Sequence, residues 1–304
     1  MSLLLVLESN AYAKVNLHLE VLNKRSDGYH NIFSVMASVD LYDLLKLDSL
    51  NIRKGHVNTA VDIVVAGGEY CTFAKTIDPK DNLINKAFVA YFKGTGSTCS
   101  AKVSLVKNIP PGAGLGGGSS DAAAVLRLLN ETLGMYNTEE LVKVASDIGS
   151  DVPYCVSGGF AICEGRGEVI EPMECSLEAF VVIVNNGIHV DTGNAYAIMN
   201  RTEMPNCNNA ALDKKKKQIK YAVKNSNFSQ FRELFHNDFE SPVFRENPEI
   251  RNVKERVERC GPDFTIMTGS GSTIIAIFKD YHNANNAVSI LRDEFRHVTI
   301  AKFI

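Results

Sequence analysis

Ile109-Pro110-Pro111-Gly112-Ala113-Gly114-Leu115-Gly116-Gly117-Gly118-Ser119-Ser120-Asp121-Ala122-Ala123-Ala124 decides how this chain is read. From Gly112 to Gly118 every residue except Leu115 is glycine or alanine, so nothing hinders a close approach to the backbone. Ala122, Val125, Leu126, Leu129 and Leu133 follow at helical spacing, which predicts a helix with one apolar face. Ser119 and Ser120 are read as its caps, and Asp121 as a charge suited to the positive end of its dipole. A glycine loop feeding a helix N-terminus presents unpaired N–H groups, the arrangement that cradles phosphate. The stretch therefore predicts a phosphorylated ligand. The bland alternative is a flexible surface turn, but linker glycines rarely run straight into an apolar helix.

Residues around the glycines exclude other phosphate loops. A P-loop carries Lys-Ser or Lys-Thr directly after its last glycine, whereas Gly118 is followed by Ser-Ser-Asp. A dinucleotide fingerprint follows a hydrophobic strand directly, whereas Pro110 and Pro111 precede these glycines. A length of 304 residues leaves room for two domains or one large one. The 45% hydrophobic and 22% charged content is that of a globular protein, and a net charge of −3 gives no footprint for nucleic acid or an anionic membrane. Seven cysteines, at 71, 99, 155, 163, 175, 207 and 260, are odd in number and lack metal-site spacing. They argue against a disulfide framework and for a reducing, cytoplasmic compartment. The apolar start, residues 1–7, is too short to span a bilayer and lacks a basic flank, so it reads as a first strand.

Alternation marks the clearest strand. Ala13, Val15, Leu17, Leu19 and Val21 share one face, and Lys14, Asn16, His18 and Glu20 share the other; a polar face of this kind is expected to meet solvent. Arg25 to Gly28 read as a turn, Ile32 to Leu47, Val61 to Val65 and Lys102 to Val106 as strands, and Asp81-Asn82 as the cap of a helix from Leu83 to Phe92. Asn137 and Glu140 form a capping box, with Leu141, Val144, Ala145 and Ile148 as the apolar stripe and Gly149 as the stop. The loop Ser150 to Tyr154 follows, then a hairpin of residues 160–163 and 168–172. A boundary is placed near residue 175, giving domains 1–175 and 176–304. Beyond it come a strand 179–184, helices 209–224, 227–237 and 248–260, a second glycine turn 268–272, a strand 273–278, a helix 282–294 and a last strand 298–303. The class is α+β. Lys214 to Lys217 read as a solvated helix face with no assigned role.

Holding a phosphate is not yet catalysis; an acceptor must be activated. Lys14 and Asp151 are the candidates, because a carboxylate can take an alcohol proton while an ammonium steadies the developing charge. Taken separately, each reads equally as a surface charge.

Pro111 to Ser120 resembles the phosphate motif of the GHMP kinases. Ala11-Tyr12-Ala13-Lys14-Val15-Asn16-Leu17, Ser26-Asp27-Gly28-Tyr29-His30, Gly149-Ser150-Asp151-Val152-Pro153-Tyr154 and Thr268-Gly269-Ser270-Gly271-Ser272 extend the resemblance. In this order they are similar to the branch of that family serving the non-mevalonate isoprenoid pathway. The resemblance implies a two-domain α+β fold, with a ribosomal-protein-S5-like N-terminal domain, a ferredoxin-like C-terminal domain and the active site in the cleft between them. It implies an ATP- and Mg²⁺-dependent phosphorylation of the 2-hydroxyl of 4-diphosphocytidyl-2-C-methyl-D-erythritol, with a small cytidine-diphosphate substrate as partner and neither nucleic acid nor membrane.

Residue by residue, the resemblance implies Lys14 and Asp151 as the catalytic pair. It implies Asn16, Tyr29 and His30 for the acceptor, with the aromatic ring and imidazole on its cytosine, and Thr192 and Tyr196 beside them. Pro111, Gly112, Ala113, Gly114, Leu115, Gly116, Gly117, Gly118, Ser119 and Ser120 would hold the nucleotide phosphates, and Asn82 and Lys107 would lie near adenine. Asn82 reads equally as a helix cap. No protein carboxylate is assigned to the metal, which would rest on ATP oxygens and water. The turn 269–271 either meets the substrate diphosphate or supports the first glycine loop. Two other readings stand: a homoserine- or mevalonate-type kinase, and a silent nucleotide-binding regulator.

Overall fold

The computed structural model describes residues 2–3, 7–55, 59–175, 177–199 and 209–304. The expected first strand is present as β1 (Ser2–Leu3), the remainder of residues 1–6 lying outside the described residues, as does Cys207. Two long strands follow, β2 (Leu7–Lys24) and β3 (His30–Lys54). Arg25 to Tyr29 reverse the chain between them, the Arg25 N–H donating to the Tyr29 carbonyl at 2.7 Å. Next come β4 (Ala60–Gly67), α1 (Cys71–Ala74), α2 (Leu83–Phe92) and β5 (Ser97–Val106). Asn82 caps α2, its side chain accepting from the Ile84 N–H.

α3 spans Gly117–Leu133, and its N-cap is Gly116 in a left-handed conformation with no side-chain cap. The helix thus begins inside the glycine run, and Ser119 and Ser120 sit in its first turn rather than before it. The Ser120 N–H already bonds back to the Gly116 carbonyl at 2.8 Å, so the helix's leading N–H groups are those of Gly117, Gly118 and Ser119. α4 (Thr138–Ser146) starts at the expected capping box, with Asn137 and Glu140 exchanging hydrogen bonds. Residues read as a loop form α5 (Val152–Ser157), started by Pro153 in its first turn. The hairpin β6 (Phe160–Gly165) and β7 (Val169–Pro172) forms as expected.

β8 (Phe180–Asn185), α6 (Thr192–Ile198), α7 (Asn209–Lys224), α8 (Phe228–Leu234), α9 (Glu240–Glu246), α10 (Pro248–Glu258), β9 (Phe264–Met267), β10 (Ile274–Phe278), α11 (Tyr281–Arg292) and β11 (His297–Lys302) complete the chain. α6, α9 and β9 are additions to the expected set. Each has seven residues or fewer, too short for periodicity to mark.

Chain contacts divide the molecule into two interleaved units. One comprises residues 1–13, 41–111 and 116–158; the other comprises 14–40, 112–115 and 159–304. In the first, β5 runs antiparallel to β3 from Leu44↔Val106 to Lys54↔Ser97, and β4 lies parallel to β5. α2, α3, α4 and α5 pack on one another in the same unit. The alanines of α3 are fully buried: Ala122, Ala123 and Ala124 are 0% exposed, which lets that helix sit close to its neighbours.

In the second unit the start of β3 pairs with β6, register Ile32↔Gly165 to Ala37↔Phe160. A separate four-stranded antiparallel sheet has the order β11-β8-β10-β9, with α10 and α11 packed on it. Taken as first to fourth in sequence, its strands lie fourth, first, third, second, the split β-α-β arrangement. Val182, Val184, Ile274, Ala276, Val253 and Leu291 lie in its core. Among the described residues no helix is long and apolar enough to cross a membrane.

Candidate active site

The polar face of β2 is not a solvated face. Lys14, Asn16 and His18 are 4%, 1% and 0% exposed. Burying such groups is costly unless each is hydrogen-bonded, and they form a continuous ladder. Lys14 Nζ donates to Asn16 Oδ1 at 2.7 Å, Asn16 Nδ2 donates to Ser34 Oγ at 2.8 Å, and Ser34 Oγ donates to the His18 carbonyl at 2.7 Å. The Asn16 N–H donates to Thr268 Oγ1 at 2.8 Å, which ties the strand to the second glycine turn.

The two glycine segments meet within the second unit. A Cβ on Gly114 would lie 2.3 Å from the Thr268 carbonyl oxygen, and one on Gly269 would lie 3.1 Å from Gly114 Cα and 3.4 Å from Lys14 Nζ. Gly114 also has φ +78°, so both contact and conformation require glycine there. The Lys14 N–H donates to the Leu115 carbonyl at 3.0 Å. The second turn therefore braces the first loop, the second of the two roles left open by the sequence. Asn237, which sequence reasoning missed, pins that turn: its Nδ2 donates to the carbonyls of Met267 and Gly269, at 2.7 Å each. Asn185 Nδ2 similarly donates to Ser272 Oγ and Thr273 Oγ1. Asn185 is followed by Asn186 and Asn237 lies between His236 and Asp238, so no spacing signals either.

The aromatic residues divide. His30 stacks on Tyr196, with centroids 4.8 Å apart and planes 7° from parallel, and Tyr196 meets Phe239 edge-on. Burial lowers the His30 pKa, with Lys24 adding to the effect. Tyr29 is 51% exposed and carries the Arg166 guanidinium on its ring, Cζ 4.9 Å from the centroid. Thr192 Oγ1, at the start of α6, lies 2.9 Å from Ser270 Oγ on the second glycine turn.

In the first unit, Lys107 is not free to move. Its Nζ donates to Asp43 Oδ2 at 2.5 Å and to Asp121 Oδ2 at 2.6 Å. Asp43 Oδ1 accepts the N–H groups of Asn108 and Ile109, at 2.5 and 2.8 Å. The triad thus holds the strand entering the glycine loop and the first turns of α3 leaving it. Lys107 Nζ sits 3.1 Å from where a Gly117 Cβ would lie, directly beneath the helix start. Burial opposes the Lys107 charge, but Asp121 and Asp43 outweigh it and raise its pKa; burial raises that of Asp121 despite Lys107. Asp43 was missed because nothing in its own strand marks it.

Of the remaining loop residues, Ser120 is 2% exposed and its Oγ donates back to the Gly117 carbonyl. Ser119 is half-buried and its hydroxyl makes no hydrogen bond among the described residues. Asp151 belongs to the first unit, at the N-cap of α5, where its side chain does not cap the helix.

His18, Glu20 and His236 bring three ligand-type atoms within 4.8 Å of one another. His18 Nδ1 accepts the His236 backbone N–H at 3.2 Å, so the neutral ring carries its proton on Nε2, which faces Glu20 Oε2 at 3.5 Å. A metal would need that nitrogen bare. The group is an acid–base cluster: burial lowers the His18 pKa to about 4, and His18, followed by Lys215 at 2.7 Å, lowers that of Glu20 to about 2. The lysine run of α7 is accordingly not simply solvated. Lys215 pairs with Glu20, Lys216 with Glu164, Lys220 with Glu171 and Lys224 with Glu174.

A glycine loop braced by a second glycine turn, with a buried lysine beside them, is the centre of the candidate site, and the class of protein is that of the small-molecule kinases. Residues 82–159 match the family described as GHMP kinases N terminal domain, and residues 219–297 match GHMP kinases C terminal. The 4-diphosphocytidyl-2-C-methyl-D-erythritol kinase of Pseudothermotoga lettingae is 35% identical over 95% of this chain and 96% of its own length; that of Exiguobacterium sibiricum is 34% identical over 97% and 96%. A crystal structure of a 4-(cytidine 5'-diphospho)-2C-methyl-D-erythritol kinase superposes with TM-score 0.73 at 28% identity, covering 98% of this chain and 99% of that one. A homoserine kinase from Cytophaga hutchinsonii, 18% identical with TM-score 0.70 over 97% and 98% of the two chains, shares the fold. The chain belongs to the 4-diphosphocytidyl-2-C-methyl-D-erythritol kinase family of GHMP kinases.

Proposed function

We propose that this protein transfers the γ-phosphoryl group of ATP to the 2-hydroxyl of 4-diphosphocytidyl-2-C-methyl-D-erythritol. The observation that carries the reading is the relationship to kinases of that name along nearly the whole chain, at 35% identity over 288 residues. The nucleotide-loop residues precede the boundary we place near residue 175, while the acceptor residues lie on both sides of it, Asn16, Tyr29 and His30 before it and Thr192 and Tyr196 after it. We place the activity in the cytoplasm.

Phosphoryl transfer needs positioning and electrostatics more than covalent chemistry. The glycine N–H groups at the start of α3 would hold the ATP phosphates. Asp151 would accept the proton of the attacking hydroxyl, and Lys14, fixed by Asn16, would stabilise the oxygen as it gains charge. Tyr29, His30 and Tyr196 would select the cytosine. Near the loop, Asp43 and Asp121 are spent on Lys107, which leaves the Ser119 hydroxyl as the donor suited to Mg²⁺. That donor set fits an ion brought in on ATP oxygens and water. Bound there, Mg²⁺ would withdraw charge from the transferred phosphoryl group.

The test is ADP release from ATP and Mg²⁺ with a panel of alcohols. Turnover confined to the cytidylylated acceptor is expected. Turnover with homoserine or mevalonate instead, or ATP binding with no turnover on any alcohol, would overturn the proposal.

A further inference from the structure

Arg166 lies in the turn between β6 and β7 and has no part in the chemistry described above. Its side chain is only 26% exposed, yet its nearest carboxylate oxygen, Glu168 Oε1, is 3.9 Å from Nε. Its backbone N–H is satisfied by Glu168 Oε2 at 2.5 Å, while the guanidinium donates no hydrogen bond among the described residues. A guanidinium presents five donors in a fixed fork, and when buried it normally grips a carboxylate or phosphate. Here the fork is laid on Tyr29, an exposed ring at the acceptor side of the site. The neighbouring carboxylate Asp27 is already engaged, with Arg25 at 3.0 Å and the Tyr29 N–H at 3.1 Å.

We propose that Arg166 is a specificity-determining residue that binds the diphosphate of the nucleoside-diphosphate acceptor while its plane backs the Tyr29 ring. The inference rests on the function proposed above. With one face of Tyr29 covered by Arg166, a base stacks on the other face, roughly 8 Å from the guanidinium plane by ordinary contact distances. The base edge is then out of reach of Arg166. Its five donors, held beside the ring by the Tyr29 contact and given no hydrogen-bond partner among the described residues, are left for the sugar and diphosphate attached to the base. Arg166 thus reads the charged portion of the ligand, and Tyr29 the flat one.

Calorimetric titration of cytidine, CMP and CDP into the wild type, Arg166→Ala, Arg166→Lys and Tyr29→Ala tests this, with thermal melting as the folding control. Arg166→Ala should weaken CDP by about 10- to 100-fold, the range of charge-assisted hydrogen bonds, while changing cytidine by less than about 2-fold. Arg166→Lys should recover part of the CDP loss, since it keeps the charge without the fork. Tyr29→Ala should weaken all three ligands together. In turnover, Arg166→Ala should raise KM for the acceptor and leave KM for ATP unchanged. Equal weakening of cytidine and CDP in Arg166→Ala would reduce Arg166 to a prop for Tyr29, and unchanged CDP binding would remove it altogether. Either result leaves the kinase proposal intact if the wild type turns over the acceptor. A wild type that binds no cytidylyl ligand overturns both.

Discussion

Lys107 and Lys14 are equally buried, at 4% exposure each, and the chain surrounds them differently. Lys107 is gripped by Asp43 and Asp121, and the same Asp43 holds two backbone N–H groups entering the glycine loop. Its charge is compensated where it stands, and the cluster works as a clamp. Lys14 donates to the amide oxygen of Asn16, which is in turn held by Ser34 and Thr268. An amide oxygen fixes where the ammonium sits. The difference separates a lysine that holds the glycine loop from the one we propose for the chemistry, although both look alike in sequence: a lysine at a strand.

Substitutions on each side should break or sharpen that contrast. The largest effect is expected for Asp151→Asn, which should lower kcat by about 10²- to 10⁴-fold if its carboxylate is the base that Lys14 complements. A near-normal kcat would remove Asp151 from that role. Lys107→Met should act in the opposite currency. It strands two buried carboxylates, and breaking such a pair costs about 3–5 kcal/mol of stability. Urea unfolding reads this directly, and an unchanged midpoint would show that the triad is no clamp.

A third experiment probes the face of β2 that carries Lys14. The folded-state pKa of His18, about 4, lies below its ordinary 6.5, so the unfolded chain binds more protons between those values. Stability from keeping His18 neutral is present above pH 6.5 and is lost as pH falls toward 4, by up to about 3 kcal/mol. The low pKa of Glu20 adds a further loss as pH falls from 4.5 toward 2. His18→Leu should flatten the first part of this profile in denaturation series. If the profile is unchanged, the burial of His18 does not govern it.

The smallest effect, about 2 kcal/mol, is expected for Gly114→Ala. Left-handed strain contributes about 1–2 kcal/mol of this, and the contact with Thr268 adds to it. Because the bracing turn must shift, KM for ATP should rise as well. Stability lost with KM unchanged would separate the brace from the nucleotide.

Reading the sequence found elements wherever a local rule was strong enough to act alone. The capping box at Asn137 and Glu140, the Asn82 cap and the alternation in β2 are examples. It misplaced the start of α3 because Ser119 and Ser120 have the propensity of caps, while the glycine run already supplied a left-handed N-cap at Gly116. It read the second face of β2 as solvated because alternation reports only that two faces differ, not what covers each. The same limit hid the pairing of α7 lysines with Glu20, Glu164, Glu171 and Glu174.

By itself, then, the sequence determined the glycine loop, the helix that follows it and the residue types we propose for acceptor chemistry. These depend on backbone freedom, side-chain type and short spacing, all of which are local. Only the tertiary structure decided that Gly114 meets Thr268, that Asp43 and Asp121 share Lys107, that His30 stacks on Tyr196 while Tyr29 takes Arg166, and that Asn237 pins the second turn. Each of these partnerships, except Lys107 with Asp121 and Asn237 with the second turn, joins residues more than 60 positions apart. Burial makes their polar groups find one another, and no local pattern records which partner they find.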